Sequence, residues 1–303
     1  MKMMNYAACI VGSMPRPARA AIKKIISMVG AFTGMFARRR VDVFWANVLN
    51  FGDLLTPSLL KSFGLVSHYV DIDILGEDSL VGCGSILGWL KPQFKGYILG
   101  TGLMTAEEAK PLAFARFLAV RGDMTRNAMG LDNKVVLCDP GLLAGRLLEG
   151  PVQKRWRFGI VPHQLDLNSK NFCNMMASLD REKHGLVHVI SSRQLPDQVV
   201  KEIASCEYII SSSLHGIIVA DSLGVPSVRV RFDAKIDDFK FADYYSSIGM
   251  DFIKPYGCTE CLDLDSLVNH MRLLDNSTLD EKINEIEKCF YAYFYALNMD
   301  IKK

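Results

Sequence analysis

The hexapeptide Ser211-Ser212-Ser213-Leu214-His215-Gly216 puts an imidazole beside three hydroxyls, directly after the apolar run 208–210. It opens a stretch with helical spacing, 217–223, closed by Gly224-Val225-Pro226. A histidine at the end of a strand and the start of a helix is poorly explained by packing, and acid–base chemistry is the natural use for it. The positive end of a helix disfavours imidazolium, but a bound anion offsets that and lets His215 act as an acid. His68, His163, His184, His188 and His270 share no such setting. His184 and His188 stand four apart, yet Gly185 between them breaks the helix that a metal pair would need.

Three further loops carry polar groups just past apolar runs. In Val120-Arg121-Gly122-Asp123-Met124-Thr125 an arginine ends the run 117–120 and precedes a helical stretch. Its planar fork and the free N–H groups of a helix start favour a carboxylate or phosphate ligand, the alternative being an ion pair with Asp123. Asn47-Val48-Leu49-Asn50-Phe51-Gly52-Asp53 reads equally as a tight turn, with Asp53 or Thr56 capping the next helix, and as a rim whose Asn50 and Asp53 bind sugar hydroxyls. Gly82-Cys83-Gly84-Ser85 and Gly100-Thr101-Gly102 let backbone approach a ligand. Their spacing departs from the dinucleotide fingerprint, which argues against a nicotinamide cofactor. Cys258-Thr259-Glu260-Cys261 lacks a second pair and a nearby histidine, so no metal site is expected.

Elements of two kinds must position these loops. Apolar runs at 41–46, 80–83, 97–99, 117–120 and 135–137 alternate with helical stretches at 56–63, 124–129 and 141–148. The alternation restarts after Gly150-Pro151, with runs at 158–161, 186–190, 208–210 and 228–232 and helices near 171–183, 196–205 and 215–223. Near-continuous apolar strands separated by helices predict parallel sheets covered on both faces. The expected fold is α/β, with two Rossmann-like domains, 41–151 and 152–303, facing a cleft. A last amphipathic helix at 279–297 folds back across their junction.

The chain has 303 residues, half of them hydrophobic, which suits two packed domains of this kind. Most of its eight cysteines sit in apolar runs and read as buried thiols. The net charge of +2 conceals an asymmetry, because residues 1–40 hold eight Lys or Arg and no acid. The remainder is mildly acidic, 27 positive against 33 negative charges, which argues against a nucleic-acid surface there. In the leader, Ile22, Ile25, Ile26, Val29, Phe32, Met35 and Phe36 form one helical stripe between Lys23-Lys24 and Arg38-Arg39-Arg40. That apolar stretch is too short to span a bilayer. A basic amphipathic helix on a membrane surface and a helix packed on its own protein are both open readings.

In this order the loops resemble the polysaccharide pyruvyl transferase family over about residues 41–250. The resemblance rests on Asn50-Phe51-Gly52-Asp53, Gly82-x-Gly84-Ser85-Ile86, Gly100-Thr101-Gly102, Val120-Arg121-Gly122-x-x-Thr125, Asp139-Pro140-Gly141-Leu142-Leu143, Ser213-Leu214-His215-Gly216 and the late Asp243-Tyr244. Cys138 stands where a Gly often precedes the Asp-Pro, and Ser213 where some members place an Arg. The resemblance implies an architecture like that of the glycosyltransferase-B enzymes and transfer of pyruvyl from phosphoenolpyruvate to sugar hydroxyls as a ketal, in exopolysaccharide or cell-surface glycan biosynthesis. It implies His215 as the acid and Asp53 as the base. Arg121, Ser212, Ser213, Leu214 and Gly216 then bind the donor, and Asn50, Gly52, Gly84 and Ser85 the acceptor. No cofactor is implied beyond the donor substrate. The implied partner is a glycan, often lipid-linked, and the implied place is the cytoplasm; nothing in the family pattern matches the basic leader, which on its membrane-surface reading lies at the inner face of the cytoplasmic membrane. A nucleotide-sugar glycosyltransferase shares the architecture and needs an acid for the ribose, for which Glu207 and Asp221 are the candidates. A non-catalytic polysaccharide-assembly protein is the third reading, and retention of Arg121 and His215 speaks against it.

Overall fold

The computed structural model describes residues 40–182, 185–232, 236–257 and 264–299. The basic leader up to residue 39 and the Cys258/Cys261 pair lie outside the described residues. In the first half, strand β1 (Arg40–Phe44) leads to helix α1 (Leu55–Ser62), then β2 (Val66–Tyr69), β3 (Leu80–Val81), β4 (Tyr97–Leu99) and β5 (Arg116–Val120). Helix α2 (Asp123–Ala128), β6 (Val136–Leu137) and a 3-10 helix, Pro140–Leu147, complete it. The second half runs β7 (Trp156–Val161), α3 (Lys170–Glu182), β8 (Val187–Val189), α4 (Pro196–Ala204), β9 (Cys206–Ser211), α5 (Leu214–Ser222) and β10 (Ser227–Arg231). Helix α6 (Phe239–Ser247), β11 (Tyr256–Gly257), α7 (Leu264–Val268) and the long α8 (Asn276–Ala296) follow.

The strands form two wholly parallel sheets, one of six strands in the order β2-β1-β3-β4-β5-β6 and one of five in the order β11-β10-β9-β7-β8. Both are wound alike. The second strand of each series lies on one side of the first, and the later strands lie on the other. Winding therefore reverses between β1 and β3 in the first sheet and between β7 and β9 in the second. Such a switch point splays the connecting segments apart and leaves a crevice at the carboxyl ends of the two strands. The loops singled out in the sequence at 47–53, 82–85 and 211–216 all leave these strand ends.

Residue spacing accounts for the helices that cover the sheets. In α1, Leu55, Leu59 and Leu60 lie on the buried face, and Gly64 just beyond the helix takes a positive φ of 80°. In α4, Val199, Val200 and Ile203 form the inward stripe behind a proline in the first turn. The α8 helix starts where the Asp275 carboxylate accepts from Thr278 N at 3.1 Å. Its Ile286, Phe290, Tyr293 and Phe294 then pack on the first sheet and α1, with the Phe63 and Phe290 rings 5.1 Å apart and Tyr97 and Tyr293 4.9 Å apart. Each of these side chains contributes roughly 1.5–3 kcal/mol by leaving water.

One apolar cluster runs through both halves, taking in Leu55 and Leu59 of α1, Leu142 and Leu143 of the 3-10 helix, Ile217 and Ile218 of α5, and Phe290 of α8. The 3-10 helix is the keystone: a Cβ on Gly141 would stand 2.9 Å from Ile218 and 3.5 Å from Leu55. Three elements that sequence spacing did not predict also matter. Strand β2 is only partly buried and carries Ser67 and His68 among its four residues. Strand β11 has two residues. Helix α6, Phe-Lys-Phe-Ala-Asp-Tyr-Tyr-Ser-Ser, is rich in residues of middling helix propensity and shows no clean stripe. It packs against α2 and ties the second half to the first.

Candidate functional site at the paired switch points

Strand β9 delivers the chain to Ser211, and α5 begins three residues later, so His215 lies in the first turn of α5 at the switch point of the second sheet. Its side chain is 12% exposed. The ring lies under the loop after β1 from the other sheet. A Cβ on Gly52 would stand 2.2 Å from its Nδ1, and Phe51 meets it edge-on at 6.4 Å. Glycine at 52 is thus required by the histidine itself. On the other side, Nε2 stands 3.8 Å from Asp139 Oδ2, beyond hydrogen-bond reach, and both atoms are buried without a hydrogen-bond partner. The other oxygen of Asp139 accepts from Gly141 N at 2.8 Å and caps the 3-10 helix.

Burial lowers the His215 pKa to about 3, helped by the cations Arg121 and Lys240 and by His163. Burial likewise raises Asp139 to about 6, against the pull of the Gly141 N–H and Arg121. The site therefore holds a neutral imidazole near a carboxyl of weakened acidity.

Arg121, expected as a ligand for an external anion, is wholly buried and takes a protein carboxylate. Its Nε donates to Asp243 Oδ2 at 2.9 Å, Nη1 to Ser85 Oγ at 2.6 Å and Nη2 to the Leu103 carbonyl at 2.6 Å. Asp243, from α6, also accepts from Thr125 N at 2.8 Å and Thr125 Oγ1 at 2.6 Å. Asp123, the alternative partner weighed from sequence, pairs with Arg126 instead. Two glycines are explained by this cluster, since a Cβ on Gly102 would be 2.5 Å from Arg121 Cζ and one on Gly122 would strike the Asp243 carbonyl at 1.7 Å. The glycines of Gly82–Gly84 and Gly100–Gly102 were expected to admit a ligand. Gly82 and Gly102 instead make room for the protein's own polar side chains, with Thr56 Oγ1 2.4 Å from a Cβ on Gly82.

The remaining expected residues lie in the same strand-end loops. The Asn50 side-chain oxygen accepts from Gly52 N at 2.9 Å and so builds the turn. Asp53 approaches the second loop, with Oδ1 3.1 Å from where a Cβ on Gly84 would be. Part of Asp53 reaches solvent, yet the protein around it pushes its pKa up to about 7, against the pull of the Lys240 ammonium. Ser212 Oγ donates to Asp166 Oδ2 at 2.5 Å and accepts from His163 N at 2.9 Å, while Ser211 Oγ donates to the carbonyls of Val161 and Ser213, each at 2.9 Å. Ser213 is the helix N-cap residue, Leu214 belongs to the core, and Gly216 leaves room for Ser211 Oγ, 2.3 Å from a notional Cβ.

Comparison with known proteins identifies the scaffold. The family model for polysaccharide pyruvyl transferase matches residues 50–233. The chain belongs to the polysaccharide pyruvyl transferase family. The stretch that carries this family pattern holds Asn50, Gly52, Asp53, Gly84, Ser85, Arg121, Asp139 and His215. The chain is 34% identical over 169 residues to the uncharacterized protein L143 of Acanthamoeba polyphaga mimivirus, covering 51% of this chain and 55% of that protein. It is 24% identical over 185 residues to the succinoglycan biosynthesis protein ExoV of Rhizobium meliloti strain 1021, covering 59% of this chain and 57% of that protein. The chain thus spans somewhat over half the length of these curated relatives.

Three residues at the site escaped sequence reasoning. His163 was grouped with the histidines that lack a site-like setting, and the structure corrects this: it follows β7 at the same switch point as His215. The signal was available, because Pro162-His163 ends an apolar strand just as 211–215 does. Asp139 sits in a quoted motif but was given no role there. Lys240, 7% exposed, comes from α6 beyond the family match and gives no sequence signal. Asp221, one candidate acid for a ribose, is wholly buried and held by Tyr244 Oη and Arg272 Nη2, each at 2.6 Å, so it does not face a ligand. Among the described residues, no three His, Cys, Asp or Glu side chains converge as a metal site, and no helix is long and apolar enough to cross a membrane.

Proposed function

We propose that this chain transfers a pyruvyl group from phosphoenolpyruvate to two hydroxyls of one sugar, forming a cyclic ketal and releasing phosphate. The observation that supports this reading most directly is His215. It is a buried, neutral imidazole at one switch point, roofed by the Gly52 loop from the other, with Arg121, Lys240, Asp53 and Asp139 around it. The two halves work as facing lobes of the glycosyltransferase-B kind, with the donor between them.

Donor binding brings several negative charges beside His215, and that raises its pKa so that the imidazolium forms when it is needed. His215 then gives its proton to the methylene carbon, and the central carbon becomes electrophilic. A sugar hydroxyl adds to that carbon and passes its proton to Asp53, whose pKa of about 7 suits a base working near neutrality. The carbon–oxygen bond to phosphate breaks with its electron pair going to phosphate, which also takes the proton held by Asp53. The second hydroxyl closes the ketal and its proton restores His215. Of the two hydroxyl hydrogens, one ends in the new methyl group and one on phosphate. The first-turn amides of α5, at Leu214 to Gly216, receive the donor's carboxylate, with the buried Arg121 charge beneath them. Asn50, Gly52, Gly84 and Ser85 form the acceptor side. A lipid-linked acceptor at the inner face of the cytoplasmic membrane would use the basic leader.

The test is phosphate release from phosphoenolpyruvate by the full chain with a lipid-linked oligosaccharide extract, alongside mass spectrometry of the glycan. Acceptor-dependent release with a mass gain of pyruvate less water is expected, and His215→Ala should lose about 10²–10⁴ in rate. Tight binding of a nucleotide sugar without any pyruvylated product would replace this reading with glycosyl transfer.

A further inference from the structure

Lys240 is a buried ammonium that makes no ion pair within 4 Å among the described residues, the carboxylates of Asp53 and Asp166 attracting it from farther off. Its Nζ sits 3.4 Å from His163 Nε2, a long contact. The histidine is held so that it offers a second donor rather than a lone pair. Its backbone N–H donates to Ser212 Oγ, and Ser212 Oγ is committed to Asp166. Its ring Nδ1 accepts from Leu165 N at 3.3 Å, which leaves the neutral ring's proton on Nε2. Nε2–H and the ammonium then face each other as two donors. Lys240 is also felt at both sides of the crevice, since its charge acts on Asp53 and on His215. A further guanidinium, Arg229, is 4% exposed, lies over the Phe241 ring at 3.5 Å and adds positive potential from behind. Two facing donors, buried and backed by cations at the open end of a parallel sheet, make a receptor for an oxyanion.

We propose that His163 Nε2–H and Lys240 Nζ form the phosphate-binding subsite of this crevice, taking a phosphate monoester dianion and holding the phosphate released from it. The inference rests on the pyruvyl-transfer reading for the identity of the monoester, but not for the existence of the subsite. It fixes the donor's direction: the phosphate lies toward β7 and α6, and the methylene end toward His215 and the Gly52 loop. The leaving group departs with its electron pair into a site that is already cationic.

The experiment uses the full chain and two probes, inorganic phosphate and phosphoenolpyruvate, measured by titration calorimetry. Phosphate should bind the wild type, and Lys240→Met should weaken it by about 10-fold or more, as expected for loss of a charged hydrogen bond. Lys240→Arg should recover most of that affinity, and His163→Gln, which keeps the local shape, should weaken binding by a smaller factor. His215→Ala should still bind phosphate. In turnover, Lys240→Met should raise the KM for phosphoenolpyruvate more than it lowers kcat. Equal phosphate affinity in wild type and Lys240→Met, with both folded by thermal melting, would overturn the subsite, as would absence of phosphate binding to the wild type. The two readings part cleanly. Lys240-dependent phosphate binding without pyruvylated product sinks the transfer reading alone. Product formation with an unchanged KM in Lys240→Met sinks the subsite alone.

Discussion

Replacing Gly52 by alanine tests the central geometrical claim, that the loop after β1 is shaped around His215. The alanine Cβ would stand 2.2 Å from Nδ1, 2.6 Å from Cγ and 3.0 Å from Cβ of His215. Ordinary contact begins at 3.4 Å, so ring and loop must separate by about 1.2 Å. The loop resists moving. Phe51 is fully buried and its N–H donates to the Ser192 carbonyl at 3.0 Å, while the Gly52 N–H is held by Asn50. The imidazole is therefore what moves, toward Asp139. Overpacking of this sort costs about 1–3 kcal/mol of stability. A displacement of about 1 Å at a reacting group costs on the order of 10²-fold in rate. The stability assay needs no substrate: Gly52→Ala is compared with wild type in the native background and in His215→Ala. The penalty should be present in the first and nearly vanish in the second, where there is no ring to strike. Gly150→Ala, with nothing near its Cβ, is the neutral control. An equal penalty in both backgrounds would refute the idea that Gly52 is glycine because of His215.

Asp243→Asn should be the more damaging change for the fold, because it leaves the Arg121 guanidinium buried without its counter-charge. A loss of roughly 3–5 kcal/mol is expected, read as a fall in the denaturant midpoint, and a loss under about 1 kcal/mol would contradict the buried pairing. Protonation supplies another check. With His215 at about 3, Asp139 at about 6 and Asp53 at about 7, a bound anion raises all three, so donor binding takes up protons. Near pH 7.5 a phosphate monoester is already dianionic. Calorimetry of phosphoenolpyruvate binding there, in buffers of different ionisation enthalpy, should report net uptake that falls in His215→Ala. Release of protons, or uptake unchanged in the variant, would count against His215 as the acid.

Most of the parallel strands, though not β2 or β11, were legible because they are short apolar runs that look the same in any tertiary setting. The expected strand at 97–99 is β4 itself, and those at 117–120 and 158–161 fall within β5 and β7. Helices with a clean stripe, such as α4 and α8, were equally readable. The loops at strand ends stood out because Gly, Asn, Asp and His cluster there, and that is where the winding of each sheet later places the crevice. What sequence spacing hides is the identity of partners. Arg121 looked like a ligand for an external anion because its partner lies 122 residues away, in a short helix whose buried face mixes Lys240 and Asp243 with aromatic residues. The same helix supplies Lys240, three residues before Asp243, and the two side chains serve opposite purposes. Asp243 pairs with the buried Arg121 and has two further hydrogen-bonding atoms around its carboxylate, Thr125 N and Oγ1, while Lys240 is left with a single long contact. A cation that has found its carboxylate stabilises a fold, and a buried cation that has not is held ready for an anion from outside. On that ground Lys240, rather than Arg121, is the cation that the proposed subsite offers to a donor's phosphate.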